Sequence, residues 1–283
     1  EQEVIDCLGL RYKVQSDHGG RAEWNNYVTK IMNSQKTVNI AITGKYTSLR
    51  DSYASIIKAL EHAGTHLGIK AELKWVDTTD LNEEDVKLAL QDVSGIIVPG
   101  AFGSRGSEGK INCIKYAREN KLPYLGLCYG FQMAVIEFAR NVCGLENSNS
   151  TEIETSCSNP VIDILPEQKD ISELGGNMRL GGQDVEVKGG SFAAEMYSSN
   201  LVRERFRHRW ECNPEYIKTL EENGLVFSGK APGREIMQIL ELSREKHPFF
   251  VGTQFHPEYI SKPLKPHPLY FGFLKEAVNK QTN

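Results

Sequence analysis

The segment Tyr124-Leu125-Gly126-Leu127-Cys128-Tyr129-Gly130 passes from a short apolar run, through a cysteine flanked by glycines, into the helical period of Phe131 to Val142. A strand that turns sharply into a helix is the unit from which parallel α/β sheets are built. Small residues on both sides of Cys128 let the chain turn tightly there. A thiol at a helix N-terminus lies in the positive end of the macrodipole, which favours its thiolate. A buried core cysteine is the alternative reading of so short a pattern.

Outward from this turn, residues 37–144 alternate between β-branched runs and helical periods. Val38 to Thr43, Ile69 to Val76 and Gly95 to Val98 read as strands, the last ending at Pro99-Gly100. Asp51 to Leu67, Asn82 to Leu90 and Glu108 to Asn120 read as helices, the second capped by Asn82. Strands connected in this way run parallel with right-handed crossovers, and ligands bind outside their carboxyl ends. The second half is less regular. A polar stretch covers Asn147 to Asn159, and the pairs Gly175-Gly176, Gly181-Gly182 and Gly189-Gly190 predict loops and hairpins. Glu235 to Leu242 and Phe249 to Phe255 return to strand character, and His267 to Lys280 reads as a closing helix.

Gln254-Phe255-His256-Pro257-Glu258 also follows a predicted strand, so it is expected on the same sheet edge as Cys128. A histidine there can take the thiol proton and later protonate a leaving amine, and a carboxylate two residues on can fix its tautomer. The plain alternative is a loop histidine bonded to backbone beside a solvated acid.

Composition narrows the function classes. With 33 Lys and Arg against 37 Asp and Glu, the formal charge of −4 offers no general basic field for nucleic acid or an anionic membrane. No apolar run approaches the roughly 18 residues of a membrane span, and EQEVIDCLGLRYKV lacks signal-peptide character. The chain reads as soluble and cytoplasmic. Its 6 cysteines form no CxxC pair and its 7 histidines no HExxH, so neither a disulfide scaffold nor a metal site is expected. Residues 1–36 are polar, carry Trp24 and Tyr27, and read as a partly ordered linker after an upstream segment, with a trimmed terminus as the alternative. Residues 37–283 read as one domain.

Together, GLCYG and QFHPE resemble the triad-type, class I glutamine amidotransferases. PGAFGSRG (Pro99 to Gly106), NSTE (Asn149 to Glu152), LGGNMRLG (Leu174 to Gly181) and RHRWECN (Arg207 to Asn213) are similar to the carboxy-terminal glutaminase domain of CTP synthases. The resemblance implies an α/β, flavodoxin-like fold with a mostly parallel central sheet flanked by helices. It implies hydrolysis of L-glutamine through a thioester on Cys128, with His256 and Glu258 completing a triad. It further implies an oxyanion hole of backbone N–H groups from Gly100, Ala101 and Phe102 and from Tyr129. The substrate's charged end would be held by Arg209, Glu152 and the neighbourhood of Gln132. A zwitterion needs one cation and one anion, and an arginine fork suits a carboxylate. A surface arginine and a loop glutamate are the bland readings of Arg209 and Glu152.

For an intact protein the resemblance implies an amidoligase domain that uses the ammonia, ATP and magnesium to convert UTP to CTP, GTP as activator, and a homotetramer. With no GxxxxGK[ST] in the chain, that synthesis is expected from a segment outside it. The sequence departs from the family pattern at Ala101, where a second glycine is usual, and at Tyr129 and Phe131, where Leu and Met are common. Should oxyanion binding need a positive φ at position 101, alanine costs about 1 kcal/mol. Two further readings stay open: a silent regulatory module, which the complete triad opposes, and a γ-glutamyl hydrolase or peptidase, against which the Glu152 and Arg209 pair favours free glutamine.

Overall fold

The computed structural model describes residues 6–7, 18–45, 47, 49–165 and 178–282. Helix α1 (His18–Asn33) leads into strand β1 (Lys36–Gly44), and a 3-10 turn (Arg50–Tyr53) opens helix α2 (Ala54–Leu67). Then follow β2 (Ile69–Asp77), α3 (Glu83–Leu90), β3 (Gly95–Val98), α4 (Ser107–Glu119), β4 (Tyr124–Leu127) and α5 (Tyr129–Asn141). The remainder is richer in strand: β5 (Ser148–Ser150), β6 (Asn159–Asp163), β7 (Arg179–Val187), α6 (Phe192–Tyr197), β8 (Leu201–His208) and β9 (Glu211–Cys212). Helix α7 (Pro214–Glu222), β10 (Val226–Lys230), β11 (Met237–Glu241), β12 (Phe250–Thr253), a 3-10 turn (Pro257–Tyr259) and α8 (Pro268–Thr282) complete it.

Local chemistry accounts for the element ends. Asn82 accepts from the N–H groups of Glu84 and Asp85 while Asp85 returns a bond to the Asn82 N–H, a reciprocal cap that starts α3 where the sequence places it. Glu83, Glu84 and Asp85 add negative charge at the positive end of that helix.

The strands form a nine-stranded sheet in the order β2-β1-β3-β4-β12-β11-β10-β7-β8, with a small sheet of β5, β6 and β9 beside it. From β2 to β12 neighbours are parallel; from β12 to β8 they are antiparallel. In the parallel block successive residues enter opposite cores, as burial on both faces requires. Val38, Ile40, Ile42, Leu125 and Leu127 pack with α2 and α8, whereas Ala41, Ile96, Val98 and Tyr124 pack with α4 and α5.

Several expectations change. Gly181-Gly182, read as a loop or hairpin, lies inside β7, whose ladder with β8 runs from Arg179↔His208 to Glu186↔Leu201. Cross-strand pairing overrides the local turn signal there. The pair Gly175-Gly176 and the first half of LGGNMRLG lie outside the described residues. Within the polar stretch from Asn147 to Asn159, Ser148–Ser150 pairs with β6. Order within the segment read as a partly ordered linker takes the form of helix His18–Asn33, with Tyr27 buried and its ring 5.8 Å from that of His66 on α2. No helix among the described residues is long and apolar enough to cross a membrane.

The first turn of α5 lies against the end of β3. A Cβ built on Gly130 would stand 2.2 Å from the carbonyl oxygen of Val98, which is backbone and cannot swing away. Gly130→Ala is therefore expected to lower unfolding free energy by about 1–3 kcal/mol in urea denaturation. Gly189→Ala, where a Cβ meets nothing within 4 Å, should stay within about 0.5 kcal/mol. Equal effects would show that the β3–α5 contact is not close-packed.

Candidate active site

Three adjacent parallel strands end together. Val98 pairs with Gly126, Gly126 with Gly252 and Leu127 with Thr253, so the loop after Val98, Cys128, and Gln254 to Glu258 all leave one carboxyl edge. Cys128 N–H donates to the Thr253 carbonyl at 2.6 Å, locking two of these ends together. Cys128 itself has φ 51° and ψ −96° as it passes from β4 into α5. No side chain enters that region cheaply, and such strain costs on the order of 1–3 kcal/mol. Within the buried turn Cys128 is only 3% exposed.

His256 Nδ1 lies 2.7 Å from Glu258 Oε1, and the imidazole stacks on the ring of Tyr259 with centroids 4.8 Å apart. Its backbone N–H donates to the Arg205 carbonyl at 2.9 Å. With Nδ1 engaged by Glu258, Nε2 is the ring nitrogen left for Cys128. Gly100 fits against this pair because it has no side chain: a Cβ there would lie 3.0 Å from His256 Cε1 and 3.6 Å from Cys128 Cβ. Burial pulls the His256 pKa down, but the negative charges of Glu258 and the Cys128 sulfur outweigh it and hold the imidazole well above its usual value. A raised native pKa stabilises the fold at pH values below the unfolded pKa of about 6.5, and that contribution is lost as pH rises through the native value.

Beside these residues is a cavity of about 320 Å³. Gly100, Ala101, Phe102, Cys128, His256 and Glu258 all line it. The loop that forms one wall is pinned from three elements. Lys45 Nζ donates to the Phe102 carbonyl. Tyr129 Oη donates to the Gly103 carbonyl at 2.7 Å, and Glu152 Oε1 accepts from the Gly103 N–H at 2.8 Å. Ala101 adopts no positive φ in this arrangement.

The other candidates lie outside the cavity wall. Glu152 is half-buried beside the loop; burial raises its pKa, opposed by the Gly103 N–H and the charges of Lys45 and Arg209. Arg209 packs its guanidinium over the Trp210 ring at 5.3 Å. Gln132 is buried behind the nucleophile, its Nε2 bonded to the Trp210 carbonyl at 2.9 Å.

Sequence reading missed Arg207, Tyr259, the 3-10 turn that opens α2 (Ser52, Tyr53) and Ile56 on α2 as cavity walls. Arg207 lies near the end of a strand, two positions before Arg209 in the RHRWECN segment, and Tyr259 directly follows QFHPE, so both were findable. The α2 residues carry no local signal; packing alone brings them to the site.

The family model described as glutamine amidotransferase class-I matches residues 48–276. The solved glutaminase domain of Trypanosoma brucei CTPS, with bound acivicin, is 36% identical and superposes with a TM-score of 0.79, covering 86% of this chain and 94% of that one. The chain thus belongs to the class-I glutamine amidotransferase family, among the glutaminase domains of CTP synthases. The CTP synthase of Caldanaerobacter subterraneus subsp. tengcongensis is 50% identical over 282 residues, 100% of this chain and 52% of the relative. That of Archaeoglobus fulgidus is 52% identical over 279 residues, 98% of this chain and 51% of the relative. The chain spans about half the length of these curated relatives.

Glu258→Gln removes the carboxylate that opposes burial at His256. The imidazole pKa, followed by NMR titration, should fall from its raised value; an unchanged titration would mean that Glu258 does not set the charge of His256.

Proposed function

We propose that this chain hydrolyses L-glutamine to glutamate and ammonia with Cys128 as nucleophile, His256 as acid and base, and Glu258 as the group that orients His256. The observation that carries this reading is a strained, buried cysteine at a strand-to-helix turn, facing a histidine held by a carboxylate across one small cavity. Sulfur attacks the side-chain amide carbon, and the resulting oxyanion is met by backbone N–H groups of Gly100, Ala101, Phe102 and Tyr129. His256 gives its proton to the departing ammonia, leaving a thioester. A water deprotonated by His256 then attacks the thioester, and the sulfur leaves as glutamate forms. We assign Arg209 and Glu152 to the α-carboxylate and α-ammonium of glutamine, with Gln132 supporting them.

We further infer that the ammonia serves an amidoligase domain of an intact CTP synthase, which aminates UTP with ATP and magnesium, responds to GTP and assembles as a homotetramer in the cytoplasm. Family membership and a span of about half the relatives' length support this. Free cysteines fit a reducing compartment. Residues 37–283 are then the glutaminase domain and the preceding segment its linker.

An electrophilic glutamine analogue is expected to label Cys128, leaving Cys113, whose pKa burial pushes up to about 12, and the buried Cys212 unmodified in peptide mapping. Cys128→Ala should abolish ammonia release, His256→Ala nearly so, while Glu258→Ala keeps measurable activity. Label on Cys113 with Cys128 free would remove the assignment.

Arg209→Ala should act mainly on KM for glutamine, by on the order of 2–4 kcal/mol if a desolvated carboxylate loses its partner. Arg203→Ala, an exposed residue paired with Asp184, should change little. Equal small effects at both positions would place Arg209 outside the substrate site.

A further inference from the structure

Gln254 lies in the QFHPE segment but has been given no part in the chemistry. It is fully buried, absent from the cavity wall, and approaches the nucleophile from the protein interior: Gln254 Nε2 lies 3.7 Å from Cys128 Sγ. We propose that Gln254 is a catalytic residue whose side-chain amide donates to the Cys128 sulfur and favours thiolate over thiol, and that Gln132 is the positioning residue that aims it. This rests on Cys128 being the nucleophile.

An amide can face either way, so its orientation has to be argued from its partners. The chain begins at the Trp210 carbonyl, which can only accept. Gln132 Nε2 lies 2.9 Å from it, so the NH₂ end of Gln132 must point there. The same Nε2 has a second proton and lies 3.4 Å from Gln254 Oε1. With its oxygen committed to Gln132, Gln254 must turn its own NH₂ toward sulfur. All three side chains are buried, Cys128 and Gln132 at 3% exposure and Gln254 at 0%, so water does not compete. Gln254 is also held at its backbone, where its N–H donates to the Gln238 carbonyl at 2.9 Å.

The sulfur has a second partner of opposite preference. Arg207 O lies 3.7 Å from Sγ and, as a carbonyl, can bond only to the protonated thiol. Deprotonation breaks the S–H bond, sends the proton to His256 Nε2 and leaves the electron pair on sulfur. The Arg207 contact is then lost, while the Gln254 N–H gains an anionic acceptor, and hydrogen bonds to charged groups are the stronger ones. Gln254 therefore biases the proton transfer from the side that substrate does not occupy, and can act before glutamine binds.

The test uses the full chain and iodoacetamide, with Cys128 alkylation followed by mass spectrometry from about pH 5 to 9. Gln254→Met keeps length and removes the donor. It should slow alkylation about tenfold at neutral pH, with rates converging on the native rate at alkaline pH, where the thiolate forms without help. Gln132→Leu leaves Gln254 free to flip and should give a smaller shift in the same direction; it also serves if Gln254→Met does not fold. A displaced sulfur would instead lower the rate by a constant factor at every pH. Such a uniform loss, or a native pH profile in a folded Gln254→Met or in Gln132→Leu, would overturn the inference. No glutamine enters this assay. If alkylation shifts as expected while native chain releases no ammonia from glutamine, the glutaminase reading fails and Gln254 remains only the donor that favours the Cys128 thiolate.

Discussion

The site depends on the register of three neighbouring parallel strands. Leu127 lies opposite Thr253 and Val98 opposite Gly126, so β4 and β12 end level and β3 ends one residue short of them. A slip of one residue would reverse the face of every side chain on a strand and carry Cys128 away from His256. Burial on both faces, with apolar residues entering two separate cores, makes such a slip costly. That same packing holds the unfavourable backbone of Cys128 in place, since relaxing it would pull the first turn of α5 off β3.

Around this edge the chemistry is arranged by elements far apart in sequence. Strand β8 supplies two carbonyls: Arg205 O receives the His256 N–H, and Arg207 O faces the Cys128 sulfur. Alternation along β8 explains this use. Glu204, Phe206 and His208 are buried, while Arg203, Arg205 and Arg207 are exposed, Arg207 where it lines the cavity. The edge hairpin of β7 and β8 is thus a wall of the site as well as a sheet margin.

The loop after Val98 is held from both sides. The Tyr129 hydroxyl reaches the Gly103 carbonyl, joining the nucleophile turn to the loop that faces it. Glu152 holds the neighbouring N–H of Gly103 from the other side. Ala101 adopts no positive φ, so its side chain brings no backbone strain in this arrangement.

The amino-acid sequence by itself determined the α/β alternation, the strand-to-helix turn at Cys128, the capped start of α3, and the placement of GLCYG and QFHPE at strand ends. Each depends on interactions within a few residues: period, capping and turn chemistry. Tertiary structure alone decided that Gly181-Gly182 continues a strand, because its partner β8 lies about twenty residues further on. It also decided which wall each candidate occupies. Arg207 rather than Arg209 lines the cavity, and the start of α2 closes it, since strand pairing and helix docking, unlike local propensity, join residues without regard to their separation in the chain.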